Sequence, residues 1–509
     1  MRRLFFFLIC CSITFRCVAQ ATTQRLDSLL SAYAKQKIFN GSVLVAKNGS
    51  IILEKGYGVQ NIKDNQPNTA NTIYQIGSIT KQFTSAIILQ LVSKNKMSLQ
   101  DKLSKYFPDY PKGDSITIEH LLTHTSGIYN YTNDGDFMKS RSERPIPRDS
   151  LLWLFENKPL NFSPGTKYDY SNSGYILLGM IIEKVTGKSY FRVVRQNIFE
   201  PLGMTHTGFD FTNLKSSDKA IGYSSDLSQA VGIVDSSVSF AAGAIYTTVG
   251  DLYKWDRALY TDRIVPQALL EKAYTPYKDS YGYGWQIGND YNNKVVQHGG
   301  GITGFVSYIL RVPQDQICII AISNVPSAST ADIAREIEGI FYGKMPEPKA
   351  ERKEIHVPAD TLKLYTGVYR LAPNFDIAIT LENDTLFAQA TGQGKNPLFA
   401  ERINFFFLKV VDAQAEFIRG NNGKIDHFIL YQAGQKIEAK KINPGDSTAA
   451  LSSARKEISV DSNVLGSYVG VYELSPAFKL TITLEGGVLM AQATGQGRNI
   501  LYAEKENYF

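Results

Sequence analysis

The chain has 509 residues, 43% of them hydrophobic, and a formal charge of +6 at pH 7, enough to bury at least one sizeable core in two or three domains. Its lysines and arginines form no clustered stripe, which argues against nucleic acid as a partner. Met1-Arg2-Arg3, the apolar run Leu4 to Phe15 and the small residues of Cys17-Val18-Ala19-Gln20-Ala21 read as a secretory signal peptide over residues 1–21, too short there to count as a membrane span. Export is therefore expected, to the periplasm or outside the cell. Removing the leader takes away Arg2, Arg3 and Arg16, so the charge falls from +6 to +3. It also takes Cys10, Cys11 and Cys17, leaving Cys318 without a partner for an intrachain disulfide. Cys318 sits in the apolar run Ile317 to Ile322 and reads as a small core residue.

In the mature chain, Leu26, Leu29, Leu30 and Tyr33 recur at helical spacing between Thr23 and Ala34. Gly41 to Ala46 and Ile51 to Leu53 read as strands turned through Asn48-Gly49, a strong hairpin signal. Gly77-Ser78-Ile79-Thr80-Lys81 then opens a buried helix of mixed apolar and small residues running to Val92. Ser78 would sit where free backbone N–H groups and the positive end of the helix dipole converge, with Lys81 on the same face three residues on. Taken alone, Ser-x-x-Lys is as well explained by helix capping. Residues 80 to 240 look mainly helical, with a short helix at Ile118 to Leu122, a core helix at Tyr175 to Val185 and another from Tyr190 to Ile198. Asp169-Tyr170-Ser171-Asn172-Ser173-Gly174 forms the loop and start of the second. His124 and His206 stand near helix ends and read as structural; neither has a ligand-spaced companion, so no metal site is expected. Beyond residue 240, Ala242 to Thr248 reads as extended and Asp251 to Leu259 as a helix. Tyr283 to Ile287 is a strand, Val295-Val296 lead into Gln297-His298-Gly299-Gly300-Gly301, and Phe305 to Val312 with Ile317 to Ile322 make a second hairpin. Ala331 to Phe341 is a closing helix.

These elements predict an α/β fold of the α+β kind over residues 22–342. Its five-stranded antiparallel sheet would have terminal helices on one face and the helical insertion on the other. Residues 343–358, rich in Lys, Glu and Pro, read as a linker. Beyond the linker the chain repeats itself. Arg352-Lys353-Glu354-Ile355 returns 103 residues on as Arg455-Lys456-Glu457-Ile458, Tyr365 to Tyr369 as Tyr468 to Tyr472, and AQATGQG at Ala388–Gly394 unchanged at Ala491–Gly497. Alternating apolar and polar residues make both copies all-β and barrel-like, 359–441 and 462–509, joined by a linker at 442–461. Copy two lacks about 35 residues of sheet-forming sequence present in copy one. Truncation at Phe509 is the preferred account, since an incomplete barrel would expose an edge.

Together, Ser78-Ile79-Thr80-Lys81, Tyr170-Ser171-Asn172 and His298-Gly299-Gly300 resemble the three motifs of the serine beta-lactamase and penicillin-binding-protein superfamily, most closely its class C branch. Leu121 to Gly127 and Pro201-Leu202-Gly203-Met204 add to the resemblance, which covers roughly residues 25 to 342. It implies Ser78 as acylated nucleophile, Lys81 as the partner easing loss of its proton, Tyr170 as a relay to the leaving group, and Asn172 as a hydrogen-bond partner of Lys81 and the substrate amide. His298 takes the first place of the third motif, where classical beta-lactamases and many carboxypeptidases have lysine. No metal or organic cofactor is implied.

The residues themselves agree with this chemistry. A serine hydroxyl needs an activating neighbour; a phenol with pKa near ~10 becomes a base when nearby positive charge favours its anion, and Lys81 would supply that charge. Tyr170 and Lys81 would titrate together, so either is open as the microscopic base. The backbone N–H groups of Ser78 and Gly301 are the expected oxyanion donors. A small peptide, ester or beta-lactam-like substrate is expected, with oligomeric state open. Because histidine is mostly neutral at pH 7, a peptidase or amidase on D-amino-acid or cell-wall-like substrates, or an esterase, is favoured over a true beta-lactamase. The alternative from another class is a non-catalytic ligand-binding or sensor protein on the same fold.

Overall fold

A computed structural model describes residues 21–443 and 460–503, apart from 226, 327, 345, 347–353, 373–374, 392–393, 409–412, 421, 433–434, 476–477, 486–487, 494–497 and 502. Most of the expected signal peptide and most of the second linker lie outside these residues. The chain divides into two compact units, Met1–Ala350 and Glu351–Phe509.

The first unit is built on an antiparallel sheet of strands β1 (Gly41–Lys47), β2 (Ser50–Tyr57), β3 (Gln286–Asp290), β4 (Asn293–Ile302), β5 (Phe305–Val312) and β6 (Ile317–Ser323), in the order β2-β1-β6-β5-β4-β3. That is six strands, one more than expected. The additional one is β4, which runs unbroken through Gly299, Gly300 and Gly301, residues that weaken a strand signal in sequence. Asn48 and Gly49 both have positive φ, as do Tyr291 and Asn292 between β3 and β4, the requirement of two-residue hairpin turns.

Both faces of the sheet are covered, which is why β1 and β6 read as nearly continuous apolar runs. Val43, Val45, Ile317, Ile319 and Ala321 share one core with Leu26, Leu29, Leu30 and Tyr33 of helix α1 (21–35) and Ile333, Ala334 and Ile337 of helix α5 (Thr330–Phe341). The alternate residues Leu44, Ala46, Cys318, Ile320 and Ile322 face the insertion. There, helix α2 (Thr80–Ser93) is buried from Thr80 to Leu91, and helix α3 (Asn172–Thr186) from Ser173 to Ile182. α3 ends at Gly187, whose φ of +65° suits a left-handed cap. The stretch expected to be extended near Ala242 is instead the end of helix α4 (Ser236–Gly243), kinked at Phe240 with φ +36° and ψ −126°. Small residues gave no apolar period there, and tertiary packing decides the conformation.

The second unit holds a closed antiparallel barrel of eight strands, β7 (Gly367–Ala372), β8 (Phe375–Glu382), β9 (Thr385–Ala390), β10 (Asn396–Arg402), β11 (Phe405–Phe407), β12 (Ala413–Arg419), β13 (Ile425–Gln432) and β14 (Gln435–Ile442). Each strand pairs with the next, and β7 closes on β14 with Val368 opposite Ile442. Closure removes the free edges that an open sheet presents. Part of the stretch read as linker belongs to this barrel: Ile355 N–H bonds the Ala400 carbonyl and Val357 is buried in the core. In copy two, β15 (Gly470–Ser475), β16 (Phe478–Glu485), β17 (Val488–Ala493) and β18 (Arg498–Leu501) form a four-stranded sheet matching the first four barrel strands.

Candidate active site

Ser78 lies in a single 3-10 turn, Gly77–Ile79, that runs straight into α2. Gly77 has φ +50°, and a Cβ there would stand 2.8 to 3.0 Å from the backbone of Gly301. The nucleophile turn and strand β4 therefore meet backbone to backbone, which only glycine permits. Gly301 itself is exposed beside Ser78 on the wall of an open cleft of about 620 Å³.

Lys81 is fully buried. Its Nζ donates to the Ala242 carbonyl at 2.9 Å and to Asn172 Oδ1 at 2.8 Å, and stands 2.9 Å from Ser78 Oγ. Burial holds its pKa well below the usual lysine value. The two oxygens from Ala242 and Asn172 can only accept. A neutral amine has two N–H groups for them and one lone pair left over, and the remaining partner is the Ser78 hydroxyl.

The orientation of Asn172 is set by a chain of donors. Thr132 Oγ1 donates to Asn130 Oδ1 at 3.0 Å, so its oxygen accepts from Asn172 Nδ2, also at 3.0 Å. The amide oxygen is thereby turned toward Lys81. Asn130 Oδ1 takes the Asn172 backbone N–H as well.

Tyr170 lies just before α3, its ring centroid 4.8 Å from Lys81 Nζ. Burial pushes its pKa up, and a hydrogen bond with Ser78 opposes that only in part. Burial thus pulls the Lys81 amine down and pushes the Tyr170 phenol up, opposing the charged form of each, phenolate included.

His298 is buried, with Nδ1 2.6 Å from the Gly299 carbonyl and Nε2 2.8 Å from the Tyr281 hydroxyl. The carbonyl requires a donor, so Nδ1 carries the proton and Nε2 accepts from Tyr281. Burial first, then the Lys81 charge, lowers its pKa to about 3. It stands 6.3 Å from the Tyr170 ring as a neutral, fixed group.

The structure thus brings Ser78, Lys81, Tyr170, Asn172, His298 and Gly301 into one place. It adds four residues that sequence reading missed or set aside. Asn130 and Thr132 are on an aperiodic loop with no signal. Tyr281 had none either. His124, set aside as structural, stacks on Tyr170 with ring centroids 4.1 Å apart and accepts the Ser171 N–H on Nδ1. Its place in Leu121 to Gly127 was the available clue.

The sequence profile of the Beta-lactamase family matches residues 19–339. The chain belongs to the beta-lactamase family. It is a serine hydrolase, and the barrel segment 351–443 matches a Domain of unknown function (DUF3471). Among family relatives, Penicillin-binding protein 4* of Bacillus subtilis (strain 168) is 28% identical over 448 residues, spanning 82% of this chain and 99% of that protein. Of solved structures, the octameric penicillin-binding protein homologue from Pyrococcus abyssi is 28% identical with a TM-score of 0.61, over 82% of this chain and 99% of that one. A D-stereospecific amidohydrolase from Streptomyces sp. is also 28% identical, with a TM-score of 0.52 over 64% of this chain and 99% of its own.

Proposed function

We propose that this family member cleaves amide or ester bonds of D-amino-acid or cell-wall-like acyl donors whose leaving group carries no free carboxylate, through an acyl-enzyme on Ser78. The observation that carries it is the set of partners around Lys81 Nζ, which leaves one lone pair of the amine for the Ser78 proton. As Ser78 Oγ attacks the carbonyl carbon, its proton passes to Lys81, and the oxyanion is held by the backbone N–H groups of Ser78 and Gly301. Tyr170 gives its hydroxyl proton to the departing amine or alkoxide and is reprotonated from Lys81. Water then attacks the ester by the same route in reverse.

The substrate class rests on charge. Among the described residues lining the cleft there is no lysine or arginine, and Met138, Val234, Val238 and Ile302 give it an apolar wall. With His298 neutral as well, nothing there would pair with a free substrate carboxylate. A carboxypeptidase on free C-terminal D-alanine, or a beta-lactamase needing the beta-lactam carboxylate, fits less well than an amidase or esterase. Support for D-stereochemistry comes from the Streptomyces amidohydrolase relative. The test compares kcat/KM for a D-aminoacyl amide, the matching p-nitrophenyl ester and an N-acyl-D-alanyl-D-alanine. Amide or ester should exceed the free acid by about tenfold or more; equal or better turnover of the free acid would overturn the assignment. Residues 1–21 support export, which N-terminal sequencing of the protein from the cell envelope or medium would test by the loss of those residues.

A further inference from the structure

An eight-stranded barrel is just wide enough either to be filled by its own side chains or to hold one small ligand. This barrel does each at a different end. Toward one end, Tyr365, Tyr369, Phe406, Phe417 and Phe428 stack in mutual ring contacts of 4.8 to 5.8 Å. Toward the other, the inward positions are held by Ala388, Ala390, Ala413 and Ala415, and a cavity of about 740 Å³ is left, solvent at its mouth included. Protein interiors hold few voids larger than a water molecule, so a barrel end lined by alanines rather than filled calls for an account.

The repeated heptapeptide explains the void. Ala388, Ala390 and Gly394 of AQATGQG all line the cavity, with Ala388 opposite Ile379 and Ala390 opposite Ile377. Thr391 fastens the rim, its Oγ1 accepting the Asp376 N–H at 2.9 Å. In copy two the unchanged heptapeptide sets Ala491 opposite Ile482 and Ala493 opposite Leu480, the same pairings 103 residues on. A larger side chain at these alanines would fill the barrel, yet both copies keep the small ones.

We propose that the barrel Gly367–Ile442 binds an uncharged small molecule with a linear aliphatic chain. The chain would lie among Ile377, Ile379, Leu398 and Leu430, and a hydroxyl, amide or ester head would meet Asn396 and Gln432. Among the described residues of the lining, Asn396 and Gln432 are the polar side chains that share the inward face, and no acidic or basic side chain is among them, so a carboxylate or ammonium head would lose hydration there without a described counter-ion.

The test uses the full mature chain and N-phenyl-1-naphthylamine, whose fluorescence rises on entering an apolar cavity. Saturable enhancement is expected, displaced by 1-decanol and roughly tenfold less well by decanoate. Ala390→Leu and Ala415→Leu, on different strands, should each weaken probe binding about tenfold or more; the neighbouring Gln389→Leu should not, and all three should keep wild-type ester hydrolysis. On the unaltered chain, a diazirine-bearing decanol should label peptides from residues 375–398 or 413–432, which decides the matter even if the variants fail to fold. Absence of saturable binding, equal displacement by decanoate, undiminished binding in both filled variants, or labelling confined to residues 41–323 would each overturn the proposal.

Discussion

Gly300→Ala isolates the contact between strand and nucleophile. An alanine Cβ at position 300 would stand 1.9 Å from the Ile76 carbonyl oxygen and 2.4 Å from Ser307 Oγ, the hydroxyl that donates to that same carbonyl at 2.8 Å. Backbone oxygen cannot rotate away, and real Cβ contacts essentially never fall under 3.0 Å, so β4 and the turn carrying Ser78 must part by about 1 Å. A misplacement of that size is worth roughly 10²-fold in rate where reacting groups are held by geometry. The assay is kcat/KM on a p-nitrophenyl ester, with far-UV circular dichroism and a melting curve to show that the variant folds. Gly301→Ala is the control, since a Cβ there meets nothing within 4 Å; its rate should stay within a few-fold of wild type while Gly300→Ala falls about 10²-fold. A folded Gly300→Ala with wild-type kcat/KM would refute the reasoning that backbone contact positions the oxyanion donors.

Burial lowers the Lys81 pKa, and the proposed mechanism uses its neutral amine. The rate should fall on the acid side as that amine protonates, far below pH 10.5, and the same proton should destabilise the fold as pH drops through the depressed value, because the unfolded chain binds it more readily. Lys81→Arg, charged at every accessible pH, should lose most activity without an acid limb to recover along, whereas His298→Gln should leave the position of that limb where it was, as read from pH profiles of kcat/KM. Thr132→Val removes the hydroxyl that turns the Asn172 amide; kcat is expected to drop about tenfold with little change in KM, a loss within the ~1–3 kcal/mol of an unmet buried donor. On the insertion face of the sheet, Arg311 Nε and Asp256 Oδ1 form a buried pair at 2.5 Å, both side chains 1% exposed. Asp256→Asn should cost about 3–5 kcal/mol in urea unfolding, since it strands a buried guanidinium.

The catalytic constellation was legible because its members are carried by short, ordered motifs. Ser78 and Lys81 are bound by helix geometry alone, and Tyr170-Ser171-Asn172 announces a helix start. Three kinds of information were not legible. The charge state of Lys81, Tyr170 and His298 depends on burial, which residue types and spacing do not carry. The orientation of Asn172 depends on Asn130 and Thr132, which a loop without periodicity delivers from 40 residues away. Strand β4 was obscured by its glycines, of which Gly300 must pass the Ile76 carbonyl. Similarly, the 103-residue repeat was visible as a pattern, but only strand register shows that its alanines hollow out a barrel.

The central claim is that Ser78 is the acylated nucleophile, and the most direct measurement is adduct mapping. The folded, mature chain is treated with a fluorophosphonate and probed by intact-protein and peptide mass spectrometry. One adduct per chain is predicted, on the peptide carrying Ser78, absent from Ser78→Ala and strongly slowed in Lys81→Arg. An unlabelled folded protein, or an adduct that persists in Ser78→Ala, would contradict the account and return the chain to the reading of a binding protein on a hydrolase fold.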